Sequence, residues 1–354
     1  MKVLFAFHIP SGGVETLNRG RCKALAKRGI ECHCLYFRKG AGAQNMTGIP
    51  VFYTANDAEI RRIVLSGGYG AVVVISAYPL VRKLRQFGYR GIIVYEVQGL
   101  GGTAAARRIL TEARSYLVPH ASALLNPNTP HIAALFRELY PNVPKFSFNN
   151  GVDTGAFRPK TVEKPAGPVI AWIGRIEENK NWREFLEIGR LLASRNPRLK
   201  LWMFEDHNLS EPAERAKFGQ LVRAFGLEKR LQVRSNVPHA QMADFFSMIA
   251  LSGGLLISTS KSEGAPYAVV EALACRCPVL TTDSDGVKSA IIPGETGLYY
   301  RLGDIGEGAR KAQSLMEDAA LRRRLTDNGR RHVELNFSWE RYCNNFIAML
   351  RALS

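Results

Sequence analysis

The segment Ser258–Pro278, with the sequence STSKSEGAPYAVVEALACRCP, decides the fold. The apolar run Leu255–Ile257 directly before it predicts a buried strand, and the alanine- and valine-rich residues in its second half predict a helix. Proline suits the first turn of a helix, because the N–H that it lacks would have no partner there. The segment therefore predicts a strand, a polar loop and a helix that begins at Pro266.

Two carboxylates flank the predicted start of this helix. Glu263 lies in the loop and Glu271 follows eight residues later in the helix. A rise of ~1.5 Å per residue would separate them by ~12 Å along the helix axis. The backbone N–H groups of a helix N-terminus lie between them and attract phosphate. A phosphate cradle with a carboxylate at each end suits a nucleotide sugar, with one carboxylate for the sugar hydroxyls and the other for the ribose.

Strands and helices alternate on both sides of this segment. Such alternation predicts parallel sheets covered by helices on both faces, with ligands bound beyond the carboxyl ends of the strands. We expect an α/β protein with two Rossmann-like doubly wound domains that face each other across a cleft. The predicted strands are Val3–Phe7, Cys32–Phe37, Ala71–Ile75, Gly91–Tyr95, Ala123–Leu125, Lys145–Phe148, Val169–Ile173, Lys200–Phe204, Leu231–Val233, Leu255–Ile257 and Val279–Thr281.

A stretch rich in proline and glycine divides the chain. Residues 149–168 contain three prolines and three glycines, a density of helix and strand breakers that predicts a linker. We expect one domain over residues 1–148 and a second over 169–335. The basic helical stretch Ile305–Leu353 is interrupted at Asn336–Trp339, so residues 336–354 are expected to form a separate helix.

The composition is that of a soluble globular protein, 46% hydrophobic and 22% charged. The chain has no run of about 18 apolar residues, and the apolar part of its N-terminus is too short for a secretory signal. These features predict a cytoplasmic protein. Its six cysteines do not form a disulfide framework. Cys32 and Cys34 share one face of a predicted strand, which is more typical of buried side chains than of zinc ligands.

The net charge of +17 is concentrated at one end of the chain. Residues Met1–Lys160 carry +13 of it. A positive field of this size favours anionic lipid head groups, a phosphate-bearing acceptor or nucleic acid. The chain contains no recognised nucleic-acid-binding module, so we expect peripheral contact with an anionic membrane at its inner face and no nucleic-acid partner. Solubility alone is the other explanation of the charge.

Several short motifs occur in a fixed order along nearly the whole chain. A single glycine-rich loop would be weak support for any family, but this series is specific. The chain resembles the family-4 retaining glycosyltransferases, which have the two-domain GT-B architecture. The motifs are Ser11-Gly12-Gly13, the hinge Asn150-Gly151-Val152-Asp153 with Phe157 and Pro159, Gly174-Arg175 with Lys180-Asn181, Glu263 to Glu271, Pro293-Gly294-Glu295-Thr296-Gly297-Leu298, and the final helix Phe337–Leu350.

The resemblance implies a role for each motif in transfer of a hexosyl group from a nucleotide-diphosphate sugar to a glycan or lipid-linked acceptor. Arg175 and Lys180 would stabilise the charge that develops on the leaving diphosphate. Glu263 would hold the hydroxyls of the donor sugar and Glu271 those of the ribose. The remaining donor-binding positions would be Gly12, Gly13, Gly264, Ala265, Pro266 and Tyr267. The resemblance also implies that residues 1–148 form the acceptor-side domain, that residues 169–335 form the nucleotide-sugar donor domain, and that the helix in residues 336–354 packs back on the first domain.

The resemblance also implies retention of the anomeric configuration and a reaction without a cofactor or metal. Asp283-Ser284-Asp285 has the form of a metal-binding pair of aspartates, but it follows a strand in a late loop. We interpret it as surface.

Two segments depart from the family pattern. Many members have a histidine near the reacting sugar where this chain has Gln98, which can hydrogen-bond a hydroxyl but cannot shuttle protons near neutral pH. Glu205-Asp206-His207-Asn208 replaces a usual Gly-x-Gly turn. We place Gln98 on the acceptor or sugar side and carry over no contact at the second segment.

Three other functions are open at this point. A nucleotide-cofactor oxidoreductase would need Gly-x-Gly-x-x-Gly after a strand, a spacing that Gly12-Gly13 lacks. A basic nucleic-acid-binding protein rests on charge alone. A non-catalytic relative that binds a nucleotide sugar fits the substitution at Gln98 but not the intact pair of carboxylates. The sequence does not distinguish a UDP-sugar from a GDP-sugar, and it does not identify the acceptor or the oligomeric state.

Overall fold

The computed structural model describes all residues, Met1–Ser354, which form two compact units. The first consists of Met1–Gly151 together with Phe337–Ser354, and the second of Val152–Asn336. The predicted linker 149–168 is thus divided between them. Each unit contains one parallel sheet with helices on both faces, which confirms the predicted class of two doubly wound α/β domains.

The first unit is built on a seven-stranded sheet in the order β3-β2-β1-β4-β5-β6-β7. Its central strand β4, Ala71–Ile75, is buried along its whole length, as expected for a parallel sheet covered on both faces. The other strands are β1 (Lys2–Phe7), β2 (Glu31–Tyr36), β3 (Val51–Tyr53), β5 (Ile92–Glu96), β6 (Ala123–Asn126) and β7 (Lys145–Ser147). The helices are α1 (Gly12–Ala26), α2 (Asp57–Ser66), α3 (Tyr78–Gln86), α4 (Thr103–Leu117), α5 (Pro130–Leu139) and α12 (Trp339–Ala352).

The second unit repeats the arrangement with six parallel strands in the order β10-β9-β8-β11-β12-β13. The strands are β8 (Val169–Ile173), β9 (Lys200–Glu205), β10 (Leu231–Ser235), β11 (Leu255–Ser258), β12 (Val279–Thr282) and β13 (Leu298–Tyr300). The helices are α6 (Trp182–Arg195), α7 (Pro212–Ala224), α8 (Met242–Leu251), α9 (Tyr267–Ala274), α10 (Ile305–Glu317) and α11 (Ala319–Asn336).

In each sheet the direction of winding reverses between two neighbouring strands. The reversal lies between β1 and β4 in the first unit and between β8 and β11 in the second. The loops that follow such a pair leave a crevice at the carboxyl edge of the sheet, which is where ligands bind in this class of fold. In the second unit these are the loops that contain Arg175, Lys180 and Glu263.

The structure corrects several predicted boundaries. Helix α9 begins at Tyr267, and Pro266 is its N-cap rather than its first residue. The predicted break near the C-terminus is present, because α11 ends at Asn336 and Ser338 caps α12 by accepting a hydrogen bond from the Arg341 amide. A second break at Asp318, between α10 and α11, was not predicted.

All six cysteines are buried and none is in a disulfide, so Cys32 and Cys34 are buried side chains as predicted. None of the helices combines the length and the apolar composition that crossing a membrane requires.

Candidate functional site

The loop after β8 is shaped to bring a lysine over the carboxyl edge of the sheet. A side chain at Gly174 would place a Cβ 2.8 Å from the Trp172 ring and 3.2 Å from Cγ of Lys180, so glycine leaves room for the lysine stem. Asn181 adopts the left-handed conformation (φ +50°) and turns the chain from a short 3₁₀ helix, Glu178–Lys180, into α6. The hydroxyl of Thr259 fixes this turn by donating to the carbonyls of Lys180 and Asn181, each at 2.9 Å.

Lys180 and Glu263, two of the predicted site residues, are in direct contact. Nζ of Lys180 lies 2.5 Å from Oε1 of Glu263, and the hydroxyl of Ser260 donates to the same oxygen at 2.6 Å. The lysine side chain is 20% exposed and that of Glu263 13%. A cation and a carboxylate therefore lie together at the reversal point of the second sheet, both still accessible to a ligand.

The loop after β12 supports Glu263 through the backbone. The amide of Glu263 donates to the carbonyl of Ser284 at 2.8 Å, and the amide of Gly286 donates to the carbonyl of Glu263 at 3.1 Å. A Cβ at Gly286 would lie 2.4 Å from that carbonyl oxygen. The prediction that Asp283-Ser284-Asp285 is surface is therefore wrong for Ser284, which is buried, and for the half-buried Asp285, which forms a backbone bridge with Glu263.

Arg175 pairs with an acid that the sequence analysis did not select. Its Nη2 lies 3.0 Å from Oε1 of Glu177. The arginine side chain is half exposed, whereas that of Glu177 is only 14% exposed. Burial raises the pKa of Glu177, while the nearby charges of Arg175 and Lys180 act in the opposite direction. The signal in the sequence was an acid between two functional cations, but acids are common in such loops.

Glu271 has a partner, as its predicted burial in an apolar helix required. It is 4% exposed, and its Oε1 lies 2.8 Å from Nε2 of His239. His239 begins a short 3₁₀ helix after β10, and its ring lies 5.0 Å from that of Phe157. His239 could not be predicted as a site residue, because nothing near it in the sequence indicates a contact with a helix residue 32 positions away.

The start of α9 is less open than the sequence predicts. The amide of Tyr267 donates to the carbonyl of Ala265, and the amides of Val269 and Val270 both donate to that of Pro266. The prediction of free N–H groups between Glu263 and Glu271 is therefore wrong for Tyr267 and Val269, whereas the Val270 contact is the ordinary first hydrogen bond of the helix. The physical reason is the tight turn at Ala265-Pro266, which brings loop carbonyls within reach of the first helical amides.

Gly12 and Gly13 open helix α1 in the first unit. Gly12 has a positive φ of +62° with open space where a side chain would be, so its conformation favours glycine. Glu15 in the first helical turn is buried and is paired with Arg19 at 2.8 Å. An acid at this position already complements the positive end of the helix dipole and disfavours a second anion there.

Gln98, after β5, is held by a buried polar network of the first unit. Its Nε2 donates to Oε1 of Glu96 at 2.6 Å, and its Oε1 accepts from Nδ2 of Asn150 at 2.7 Å. A carboxylate can only accept, so this contact fixes which way the amide points. The other oxygen of Glu96 is paired at 2.8 Å with Arg21, which is fully buried and also donates to the hydroxyl of Tyr342. The Asn150 contact uses one lone pair of the Gln98 oxygen, so its second lone pair is available to a ligand.

The segment Glu205–Asn208, where the family has glycines, forms polar contacts of its own. Glu205 is buried and accepts from Arg215 and Ser235. Asp206 caps the 3₁₀ helix His207–Leu209 by accepting from the amide of Asn208 at 3.0 Å. These side chains therefore stabilise the loop itself.

Comparison with known proteins identifies one family. A family model described as "Glycosyl transferases group 1" matches residues 153–332, about half of the chain. Capsular polysaccharide biosynthesis glycosyltransferase CapM of Staphylococcus aureus is 25% identical over 176 residues, which is 49% of this chain and 44% of that protein. D-inositol 3-phosphate glycosyltransferase of Rhodococcus opacus (strain B4) is 25% identical over 312 residues, 87% of this chain and 63% of the relative. The matches therefore span less than two thirds of either relative.

A solved structure is similar to this chain over nearly its whole length. The crystal structure of Anabaena HepE in complex with UDP and glucose has a TM-score of 0.85 to this chain, with 99% of each chain covered. The sequence identity is 18%. At that identity the similarity is one of fold.

Proposed function

The chain belongs to the glycosyl transferases group 1 family, and from that premise we propose that it transfers a sugar from a nucleotide-diphosphate sugar to an acceptor hydroxyl with retention of the anomeric configuration. The contact between Lys180 and Glu263 at the reversal point of the second sheet carries this proposal. A cation for phosphate and a carboxylate for hydroxyls meet there, which is the chemistry that a nucleotide sugar needs.

Four charged residues of the second unit each have a part in this proposed reaction. Lys180 and Arg175 stabilise the negative charge that develops on the leaving diphosphate as its bond to the anomeric carbon breaks. Glu263 accepts hydrogen bonds from the sugar hydroxyls, and Glu271 does so from the ribose. The acceptor oxygen bonds to the anomeric carbon, and its proton passes to an oxygen of the leaving diphosphate. The reaction then needs no separate protein base, cofactor or metal ion.

The acceptor is proposed to be a glycan or a lipid-linked saccharide. The names of the two relatives, which refer to capsular polysaccharide and to inositol 3-phosphate, support an acceptor that is polymeric or phosphorylated. The charge of +13 over Met1–Lys160 supports an anionic acceptor or a membrane surface. We place the protein in the cytoplasm, peripheral on the inner membrane face. Binding to anionic liposomes at low salt and release at high salt supports this location, and absence of binding at low salt contradicts it.

A second candidate is a non-catalytic relative that binds the nucleotide sugar. The network around Gln98 favours it, because Glu96 and Asn150 engage the amide and no histidine is present at this position. Both candidates predict donor binding, but only the first predicts turnover.

A panel of nucleotide sugars tests the proposal. UDP-, GDP-, ADP- and TDP-linked hexoses are screened by thermal shift, because a ligand that binds the folded state raises the melting temperature. Any nucleotide sugar that stabilises the protein is then incubated with it, and release of the nucleoside diphosphate is measured. Stabilisation with slow hydrolysis of the donor supports the enzyme, and stabilisation without any release supports the non-catalytic relative. No stabilisation by any member contradicts both.

A further inference from the structure

The loops after β8 and β11 contain two ion pairs, each of one cation and one carboxylate. Arg175 is paired with Glu177 and Lys180 with Glu263. Their formal charges cancel, so the two cations proposed to bind the diphosphate are already neutralised by carboxylates. A doubly anionic diphosphate that binds beside these pairs meets no net positive charge unless one of the two carboxylates moves away or becomes neutral.

The two carboxylates differ in what they can do after displacement. Glu263 has the Ser260 hydroxyl as a second hydrogen-bond donor and meets sugar hydroxyls in the proposed reaction. The one side-chain partner of Glu177 is Arg175, and the Glu177 side chain is 14% exposed. When Arg175 turns to the diphosphate, a charged Glu177 is left mostly buried beside new negative charge, which is costly.

We propose that Glu177 is a donor-site residue that takes up a proton as the nucleotide sugar binds, so that Arg175 is released to the diphosphate. This inference rests on the proposed function. Glu177 does not belong to any of the family motifs. In the free protein it holds Arg175 in place through their ion pair. When the diphosphate takes over Arg175, Glu177 becomes neutral.

The charges around Glu177 determine in which direction donor binding changes with pH. Arg175 and Lys180 favour its ionised form, whereas burial and the carboxylates of Glu211 and Glu263 favour the protonated form, and burial is the largest of these influences. A bound diphosphate adds negative charge and draws Arg175 away, so the pKa of Glu177 is higher in the complex than in the free protein. Binding therefore strengthens as the pH falls, by at most about tenfold per pH unit for one proton.

Isothermal titration calorimetry separates proton uptake from a simple movement of the side chain into water. UDP-glucose and GDP-mannose are titrated in two buffers of different ionisation enthalpy between pH 5.5 and 8.5. The diphosphate of a sugar nucleotide does not titrate in this range, so a difference between the buffers reports protons taken up by the protein. For the sugar nucleotide that binds, we expect proton uptake and an affinity at least about threefold lower at pH 8 than at pH 6.

Two variants assign the proton. Glu177→Gln keeps the shape and is neutral at every pH, so its affinity varies less than about twofold over the range and exceeds that of the wild type at pH 8. Glu178→Gln is the matched control, since Glu178 lies in the same loop but is exposed and paired with Lys261. His239 is an ionisable side chain paired with Glu271 at the proposed ribose position, and His239→Gln is expected to keep the proton uptake that Glu177→Gln loses.

The outcomes are distinct. The same pH dependence and proton uptake in the wild type and in Glu177→Gln overturn the inference and leave the proposed function intact. Absence of binding by both sugar nucleotides and by every other member of the panel overturns the proposed function and this inference with it. Melting temperatures of the variants close to that of the wild type exclude a folding defect as the cause.

Discussion

Lys180 and Glu263 are joined by an ion pair of 2.5 Å although 83 residues separate them in the chain. The pair connects the loops after β8 and β11, the two strands between which the second sheet changes its direction of winding. The lysine side chain is 20% exposed and the glutamate side chain 13%. The carboxyl edge of the sheet at such a reversal is where ligands bind in this class of fold.

The close packing of Gly286 on the Glu263 backbone predicts a defect at a distance from the chemistry. In Gly286→Ala the new Cβ would lie 2.3 Å from the carbonyl oxygen of Gly264, so the loop that carries Glu263 must shift. A shift of ~1 Å at a catalytic group lowers turnover by about a hundredfold. We expect this loss in a donor-hydrolysis assay. Gly219→Ala is the control, because a Cβ at Gly219, in α7, would meet only the end of the Arg223 side chain, at 3.8 Å. An equal loss in both variants would contradict the proposed support of Glu263.

The pairing of His239 with Glu271 predicts a defect confined to the nucleoside part of the donor. His239→Ala leaves the buried Glu271 carboxylate without this partner. We expect the binding free energy of a nucleoside diphosphate to weaken by about 1–3 kcal/mol, which is about tenfold or more in affinity. Inorganic pyrophosphate lacks the ribose and is expected to bind as in the wild type. His239→Gln can still donate to Glu271 and should restore most of the affinity. Equal weakening of pyrophosphate and nucleoside diphosphate in calorimetry would show that His239 acts on the whole site.

The buried pair of Arg21 and Glu96 predicts strong non-additivity. Arg21→Met leaves Glu96 as an unpaired buried charge, a change that costs about 3–5 kcal/mol. Glu96→Gln in the same chain removes that charge, so the double variant is expected to be more stable than Arg21→Met alone. Urea-induced unfolding of the three variants measures the coupling. A double variant less stable than either single variant would contradict the assignment of the cost to an uncompensated charge.

Glu214 predicts a stability difference that depends on pH. Hydrogen bonds from Arg183, followed by those from Lys217 and Trp182, lower its pKa from 4.5 to about 2. The folded state therefore favours the carboxylate. This preference stabilises the protein fully at a pH above the ordinary pKa of 4.5, and the stabilisation is lost as the pH falls towards about 2. Glu214→Gln should destabilise the protein by about 1 kcal/mol at neutral pH. Urea unfolding should show a smaller difference near pH 3.5, and a difference that grows on acidification would contradict this.

Most of the strands that the sequence predicted have a continuous apolar core, such as Ala71–Ile75. The two that it missed, β3 and β13, have three residues each and lie at the edges of their sheets. A strand this short has few buried positions and therefore produces a weak pattern, although the equally short edge strand β7 was predicted.

Some residues of the site could be predicted from motifs, and others are recognised only from their tertiary contacts. Lys180 and Glu263 could be predicted because each belongs to a motif with a fixed place after a strand. His239 and Glu177 could not, because their importance comes from the partner each one meets. Ser284 and Asp285 were placed on the surface because their role is in the backbone, which supports Glu263 and leaves no trace in side-chain chemistry.

The most direct test of the account is the binding of a nucleoside diphosphate to a Lys180 variant. UDP and GDP are titrated calorimetrically into the wild type, Lys180→Met and Lys261→Met. Lys261 is the matched control, because it lies in the Glu263 loop but pairs with the exposed Glu178. A charge-assisted contact contributes about 1.5–3 kcal/mol, so Lys180→Met should bind the preferred nucleotide at least about tenfold more weakly, while Lys261→Met binds it as the wild type does. Equal affinity of all three proteins would contradict the assignment of the donor site to the reversal point of the second sheet.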